Sequence, residues 1–149
     1  MISDALARVA ASRTTAMTDR AMELRAAGRD IISLSVGEPD FATPPHVIAA
    51  AKAALDAGDT KYTAVPGTQR LREAAALHFQ RDLGLTVPPS QVIVSAGGKQ
   101  AIFHALLATL NAGDEVLIPA PWWVSYPEIV RFAGADVVAR PTDAAGGFR

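Results

Sequence analysis

The sequence contains no cysteine. That excludes disulfides, thiolate nucleophiles and cysteine metal sites, and it fits a reducing cytoplasm. Its three histidines, His46, His78 and His104, are scattered. With no H-x-x-x-H pair and no clustered carboxylates, they argue against a metal centre. Neither sign of charge is in excess: the net charge is −1 and the pI near 6.3, so there is no electrostatic footprint for nucleic acid or a membrane surface. Long apolar runs are missing as well. The longest, Ala101 to Leu110, includes His104 and is too short to span a bilayer. Met1 to Arg13 alternates polar and apolar residues and forms no signal-peptide core.

What is present suits a globular fold. Of 149 residues, half are hydrophobic and 19% charged, enough to bury a core and unlike a disordered chain. The first thirty residues read as an arm with one short helix over Asp19 to Ala27, ended by Gly28. Ile31 to Val36 alternates like a strand and runs into the turn-rich Gly37-Glu38-Pro39-Asp40-Phe41. Thr43, followed by Pro44 and Pro45, is placed to cap a helix with Val47, Ile48, Ala51 and Leu55 on one face and Gly58 at its end. Thr68 can cap a second helix, with Leu71, Ala75 and Phe79 aligned and Gly84 closing it.

Further strands are expected at Gln91–Val94, Glu115–Ile118 and Asp136–Arg140, and helices from Ala101 and over Ser125–Phe132. The helix from Ala101 is apolar almost all round, which predicts burial on more than one side and an interior His104. Strands alternating with helices make this an α/β layered fold with a mostly parallel sheet.

Ser95-Ala96-Gly97-Gly98-Lys99-Gln100-Ala101 stands between the strand Val92–Val94 and that apolar helix. A strand, glycine turn and helix aim backbone N–H groups and the positive end of a helix dipole at one point, which suits a phosphate. The same pattern also serves as a plain βα turn. It is not a P-loop, because Ile93 and Gln100 stand where that motif needs glycine and Ser/Thr. Nor is it a dinucleotide fingerprint, since Gly97-Gly98 is followed by Lys99, Gln100, Ala101 and Ile102.

In order along the chain come Ser35-Val36-Gly37-Glu38-Pro39-Asp40-Phe41, Thr60-Lys61-Tyr62, Gly67 with Leu71-Arg72-Glu73-Ala74, Gly97-Gly98-Lys99-Gln100-Ala101 and Pro121-Trp122-Trp123-Val124-Ser125-Tyr126-Pro127. As a set these resemble the N-terminal part of a class I pyridoxal-phosphate (PLP) aminotransferase, and within that family the bacterial aspartate aminotransferases. The resemblance implies the N-terminal portion of the PLP-dependent transferase fold type I, incomplete. Residues 1–45 would be the arm with a share of the small domain, and 46–149 the first part of the large PLP-binding domain. It also implies a cytoplasmic homodimer in the complete enzyme, acting on amino acids and 2-oxo acids, with no nucleic-acid or membrane partner.

The resemblance assigns roles residue by residue. Gly98, Lys99 and Gln100 match the cradle of the cofactor phosphate, and Trp123 the aromatic that stacks on the cofactor ring. Trp122 is then left to packing, at a position where many relatives carry tyrosine. Tyr62 matches a tyrosine that reaches the phosphate of the other subunit, a role favoured over simple packing of a loop phenol with a wet hydroxyl. Gly37 matches the backbone N–H that contacts the substrate α-carboxylate. Ser12, Thr14 and Lys99 match groups that bind the distal carboxylate of aspartate, while Lys99 could instead serve the phosphate or solvent. Prephenate and aromatic substrates stay open.

The family's Schiff-base lysine, ring-nitrogen carboxylate and α-carboxylate arginine lie beyond the matched part. Lys52, Lys61 and Lys99 are the lysines here, and none stands in an S-x-x-K setting. The chain by itself is therefore expected to be inactive, as the N-terminal fragment of a full enzyme. The alternatives are a catalytically dead or partner-binding chain, and a free-standing binder of phosphate ligands.

Overall fold

The computed structural model describes residues 2–149. Contacts divide the chain into two compact units, one of residues up to 38 with 102–149 and one of residues 39–101.

The first unit is organised around a βαβ element. Strand β1 (Glu115–Ala120) is followed by the helix over Ser125–Ala133 and then by strand β2 (Asp136–Pro141). The strands pair in parallel, from Glu115 opposite Asp136 to Ala120 opposite Pro141. Beyond the ladder Thr142 adds both its N–H and its hydroxyl to the carbonyl of Ala120. The intervening helix ends at Gly134, which takes a left-handed conformation. Ile118, Val130 and Ala135 form the buried centre, with Leu106, Leu110, Val116, Trp122, Tyr126 and Val137 packed around it.

The N-terminal part of this unit holds two helices where the sequence pattern suggests one. Helix α1 (Asp4–Ala7) is a single turn, and α2 (Arg13–Ala26) begins well before Asp19. Ser12 causes the early start, because its hydroxyl oxygen accepts the N–H of Thr15 at 3.3 Å and caps the helix. Residues 31–36 are not a strand, contrary to expectation. They keep the alternation, with Ile31, Ser33 and Ser35 half-buried and Ile32, Leu34 and Val36 exposed, but among the described residues no strand pairs with them.

The second unit carries α3 (Pro45–Asp56), α4 (Gln69–Leu83), a 3₁₀ turn (Pro89–Gln91) and the start of α5 (Gly98–Thr109). Pro44, not Thr43, precedes the first turn of α3, and no side chain caps that helix. Thr68 caps α4 as anticipated, its hydroxyl oxygen accepting Leu71 N–H at 3.3 Å, and Gly84 closes it in the left-handed region. The expected strand over Gln91–Val94 is replaced by the 3₁₀ turn and an extended stretch. Arg72 holds that stretch against α4, donating to the carbonyls of Val92 at 3.0 Å and Pro89 at 2.6 Å.

Two expectations about α5 fail together. No residue of α5 is buried, and His104 is exposed. Only the stripe of Ile102, Phe103 and Leu106 is half-buried, Phe103 lying 5.5 Å from the ring of Phe132 on the helix over Ser125–Ala133, hereafter α6. The other apolar side of α5 faces solvent. The same holds widely: the chain exposes 12063 Å². Even two separate compact bodies sharing its 15.6 kDa would expose only about 8,700 Å². Ile32, Leu34, Phe41 and Val65 are each more than four-fifths exposed, so large apolar faces of this fold stand without cover.

Candidate functional site

The glycine turn lies in the second unit and is built from both sides. Val94 donates its N–H to the carbonyl of Pro66 at 3.0 Å, which fixes the incoming chain. Gly97 then takes φ +85°, a conformation that glycine adopts without strain, and α5 starts at Gly98. The first α-helical bond of α5 runs from Ala101 N–H to the carbonyl of Gly97, so the amides of Gly98, Lys99 and Gln100 lie ahead of the helical ladder. The side-chain oxygen of Gln100 accepts Ala96 N–H at 2.5 Å. Gln100 therefore braces the turn through one end of its amide and keeps its NH₂ as a donor. A Cβ added at Gly98 would meet nothing within 4 Å, so open space surrounds the helix start. Lys99 stands on its first turn, exposed.

Tyr62 is also in the second unit. It is fully exposed, on a loop whose Thr60, Lys61 and Tyr62 line a shallow groove of about 420 Å³.

The remaining candidates belong to the first unit. Trp122 and Trp123 are adjacent yet differently placed. Trp122 packs against the Ile118–Val130–Ala135 core, whereas Trp123 is 43% exposed and meets Tyr126 edge to face, with centroids 5.4 Å apart and planes at 81°. Tyr126 also donates its N–H to the Trp123 carbonyl at 3.1 Å. The indole is thus set by the first turn of α6. Ser12 caps α2, and this uses a lone pair of its oxygen, leaving the O–H proton for donation. Thr14, half-buried, gives its carbonyl to the Thr18 hydroxyl at 2.9 Å. Gly37 lies in an exposed loop where an added Cβ would meet nothing within 4 Å.

The clearest charged cluster is elsewhere. On the last turns of α4 the Arg81 hydrogen bond holds the Asp82 carboxyl below the usual carboxylate range, and His78, 2.8 Å away, acts in the same direction. These side chains are solvent-exposed and form a surface network of small energetic weight. Among the described residues no group of three His, Asp or Glu could hold a metal, and no helix is long and apolar enough to cross a membrane.

Residues 29–149 match the family described as aminotransferase class I and II. The aspartate/prephenate aminotransferase of Cereibacter sphaeroides is 55% identical over 148 residues, 99% of this chain and 37% of that protein. That of Thermus thermophilus is 51% identical, over 92% of this chain and 36% of the relative. Among solved structures, the aspartate aminotransferase from Thermus thermophilus with maleate superposes with a TM-score of 0.95 at 48% identity, covering 99% of this chain and 39% of that one. The Rhizobium meliloti aspartate aminotransferase gives 0.94 at 40% identity, over 100% and 37%.

The fold is thus an N-terminal portion of the type I transferase fold, and the chain belongs to the class I and II aminotransferases. It spans less than two-fifths of the length of the relatives it matches.

Proposed function

We propose that this chain is the N-terminal portion of a PLP-dependent aminotransferase that moves an amino group from aspartate or glutamate to a 2-oxo acid. The observation that carries this reading is the helix-opening turn at Gly97–Gln100, whose donors suit a dianionic phosphate. Its amides precede the ladder of α5, a cation stands on the first turn, and the surrounding space is open. The residues present therefore fit the cofactor. Gly98, Lys99 and Gln100 would hold its phosphate, Trp123 would lie on its ring, and Tyr62 would reach the phosphate bound by the other subunit of a homodimer. When bound, PLP supplies an electron-withdrawing ring that stabilises negative charge on the substrate's α-carbon.

The substrate would be oriented by this chain's own groups. Gly37 would offer its backbone N–H to the α-carboxylate. Ser12 and Thr14 would donate hydroxyl protons to the distal carboxylate, and Lys99 would supply the positive charge that a second carboxylate needs. Support for a dicarboxylate comes from the Thermus thermophilus structure, described as holding maleate, itself a dicarboxylate. In the complete enzyme, residues 1–45 would form the arm and part of the small domain, and 46–149 the start of the large one. The remaining polypeptide would cover the apolar faces left open here. It would also bring the catalytic lysine, since Lys52, Lys61 and Lys99 are not in that role.

The test is amino transfer from aspartate by the full-length protein with PLP, beside residues 1–149 alone. Transfer by the full chain and none by the fragment is the expected pattern. A full-length protein that neither binds PLP nor transfers an amino group would overturn the reading. A sharper measurement concerns Lys99. Lys99→Ala should raise the KM for aspartate about tenfold, the loss of one charge-assisted contact, and that for a monocarboxylic amino acid far less. Equal losses for both substrates would place the Lys99 ammonium, and not only its backbone N–H, on the phosphate.

A further inference from the structure

The N-terminal arm is bolted to α6 by side chains that the proposed function leaves unused. Arg8 donates from Nε to the carbonyl of Arg131 at 3.0 Å and from Nη2 to the carbonyl of Phe132 at 3.2 Å. Both carbonyls lie in the last turn of α6, where the i+4 donors run out and the dipole favours a cation; that of Arg131 also accepts the N–H of Gly134 at 3.0 Å. Glu128, one helical turn before Phe132, forms the other half of the bolt. It accepts the N–H of Ala10 on Oε2 at 2.7 Å, while its Oε1 accepts from Arg131 Nη1.

Helix α6 is the best-buried element of the unit, with Pro127, Ile129 and Val130 all inside. Helix α2, in contrast, packs on no other helix or strand among the described residues. Its neighbours are residues 31–35, reached through Thr18 to Ser35 at 3.5 Å and Arg25 to the Ile31 carbonyl at 3.1 Å. The arm therefore ties the start of α2 to the core. Ala10 is held by Glu128, and Ser12, the cap of α2, follows directly after Ala11. The opposite end of α6 sets Trp123 through Tyr126. One short, buried helix thus fixes both the indole and the Ser12–Thr14 segment.

We propose that Arg8 and Glu128 are positioning residues for substrate selection: by clamping Ala10 to α6 they hold Ser12 and Thr14 in register with Trp123. The inference rests on the reading that Ser12 and Thr14 meet the distal carboxylate. A dicarboxylate uses that segment and a monocarboxylic amino acid does not, so loosening the clamp selects against the first.

The test uses the full-length holoenzyme. Arg8→Ala and Glu128→Ala should each raise the KM for aspartate about fivefold, well short of the roughly hundredfold that a 1 Å misplacement of a reacting group costs. The kcat, and the KM for a monocarboxylic amino acid, should stay within about twofold. Glu128→Gln keeps an oxygen for Ala10 N–H and should restore the aspartate KM, which a purely electrostatic role of Glu128 would not allow. Equal changes for both substrates, or none, would overturn the proposal. Should the alanine variants fold poorly, Arg8→Lys, which keeps the charge and loses the fork, should give the same selective rise in smaller measure. Ser12→Ala and Thr14→Val separate the two levels of the argument. If they leave the aspartate KM unchanged, the distal-carboxylate reading fails. If they raise it while the clamp variants do not, the clamp alone fails.

Discussion

Gly67→Ala is expected to destabilise residues 39–101 by about 3 kcal/mol, combining a left-handed non-glycine residue with an overpacked contact. Gly67 sits at φ +103°, and an added Cβ would lie 2.7 Å from Val94 Cγ2 and 2.9 Å from Val94 Cβ. A rotamer change at Val94 moves Cγ2 but cannot move Cβ. Nor can the backbone step aside, because Val94 N–H is bonded to the carbonyl of Pro66, and Arg72 grips the carbonyl of the buried Val92. Val94→Ala in the same chain should restore only part of the loss, since it leaves the Cβ contact and the backbone strain in place. Hydrogen exchange read on peptides spanning 66–72 and 90–100 of the full-length protein measures this directly. Native protection in Gly67→Ala would show that Val94 yields more easily than this packing allows.

The same contact bears on the proposed cofactor site. Val94 leads into Ser95 and the turn at Gly97, so a displaced Val94 carries the start of α5 with it. PLP affinity should fall alongside the exchange protection, although Gly67 would touch no part of the cofactor.

The helices are largely legible in the sequence because their signals are local. Thr68 and Gly84 bracket α4, and both act as their residue types predict, one through its hydroxyl and the other through its left-handed backbone. Ser12 is an equally local signal for α2, obscured because the helix it opens has a weak apolar stripe. Strands are different, since a strand exists only where another pairs with it. Residues 31–36 and 91–94 have the composition of strands and lack a partner among the described residues, whereas Glu115–Ala120 and Asp136–Pro141 find each other across α6. The misplacement of His104 has the same origin: an apolar helix surface specifies that cover is wanted and not whether this stretch of chain supplies it.

The candidate site divides along similar lines. The glycine turn is visible as a motif, and the helix start at Gly98 follows from the conformation of Gly97. The clamp has no sequence signal, because Arg8 and Arg131 lie 123 positions apart and neither stands in a recognisable pattern. The family resemblance proposes Gln100 as a phosphate contact; its bond to Ala96 adds a bracing role that spacing alone does not suggest.

The two tryptophans should separate binding from stability. In the full-length protein, Trp123→Ala is expected to weaken PLP binding roughly thirtyfold, corresponding to about 2 kcal/mol for an aromatic stack with its buried area. Trp122→Ala should cost about 2–3 kcal/mol of stability, less than a fully buried tryptophan because this one is half-buried. The melting comparison belongs on the apoprotein. Bound cofactor stabilises the native state in proportion to its affinity, so holoenzyme melting would make Trp123→Ala look destabilising for the wrong reason. Tyr126 supplies the internal control. It fixes the tilt of Trp123 through a T-shaped ring contact with centroids 5.4 Å apart, so Tyr126→Phe should keep the affinity and Tyr126→Ala should lose part of it. If Trp122→Ala released the cofactor while Trp123→Ala merely lowered the melting temperature, the roles of the pair would be reversed.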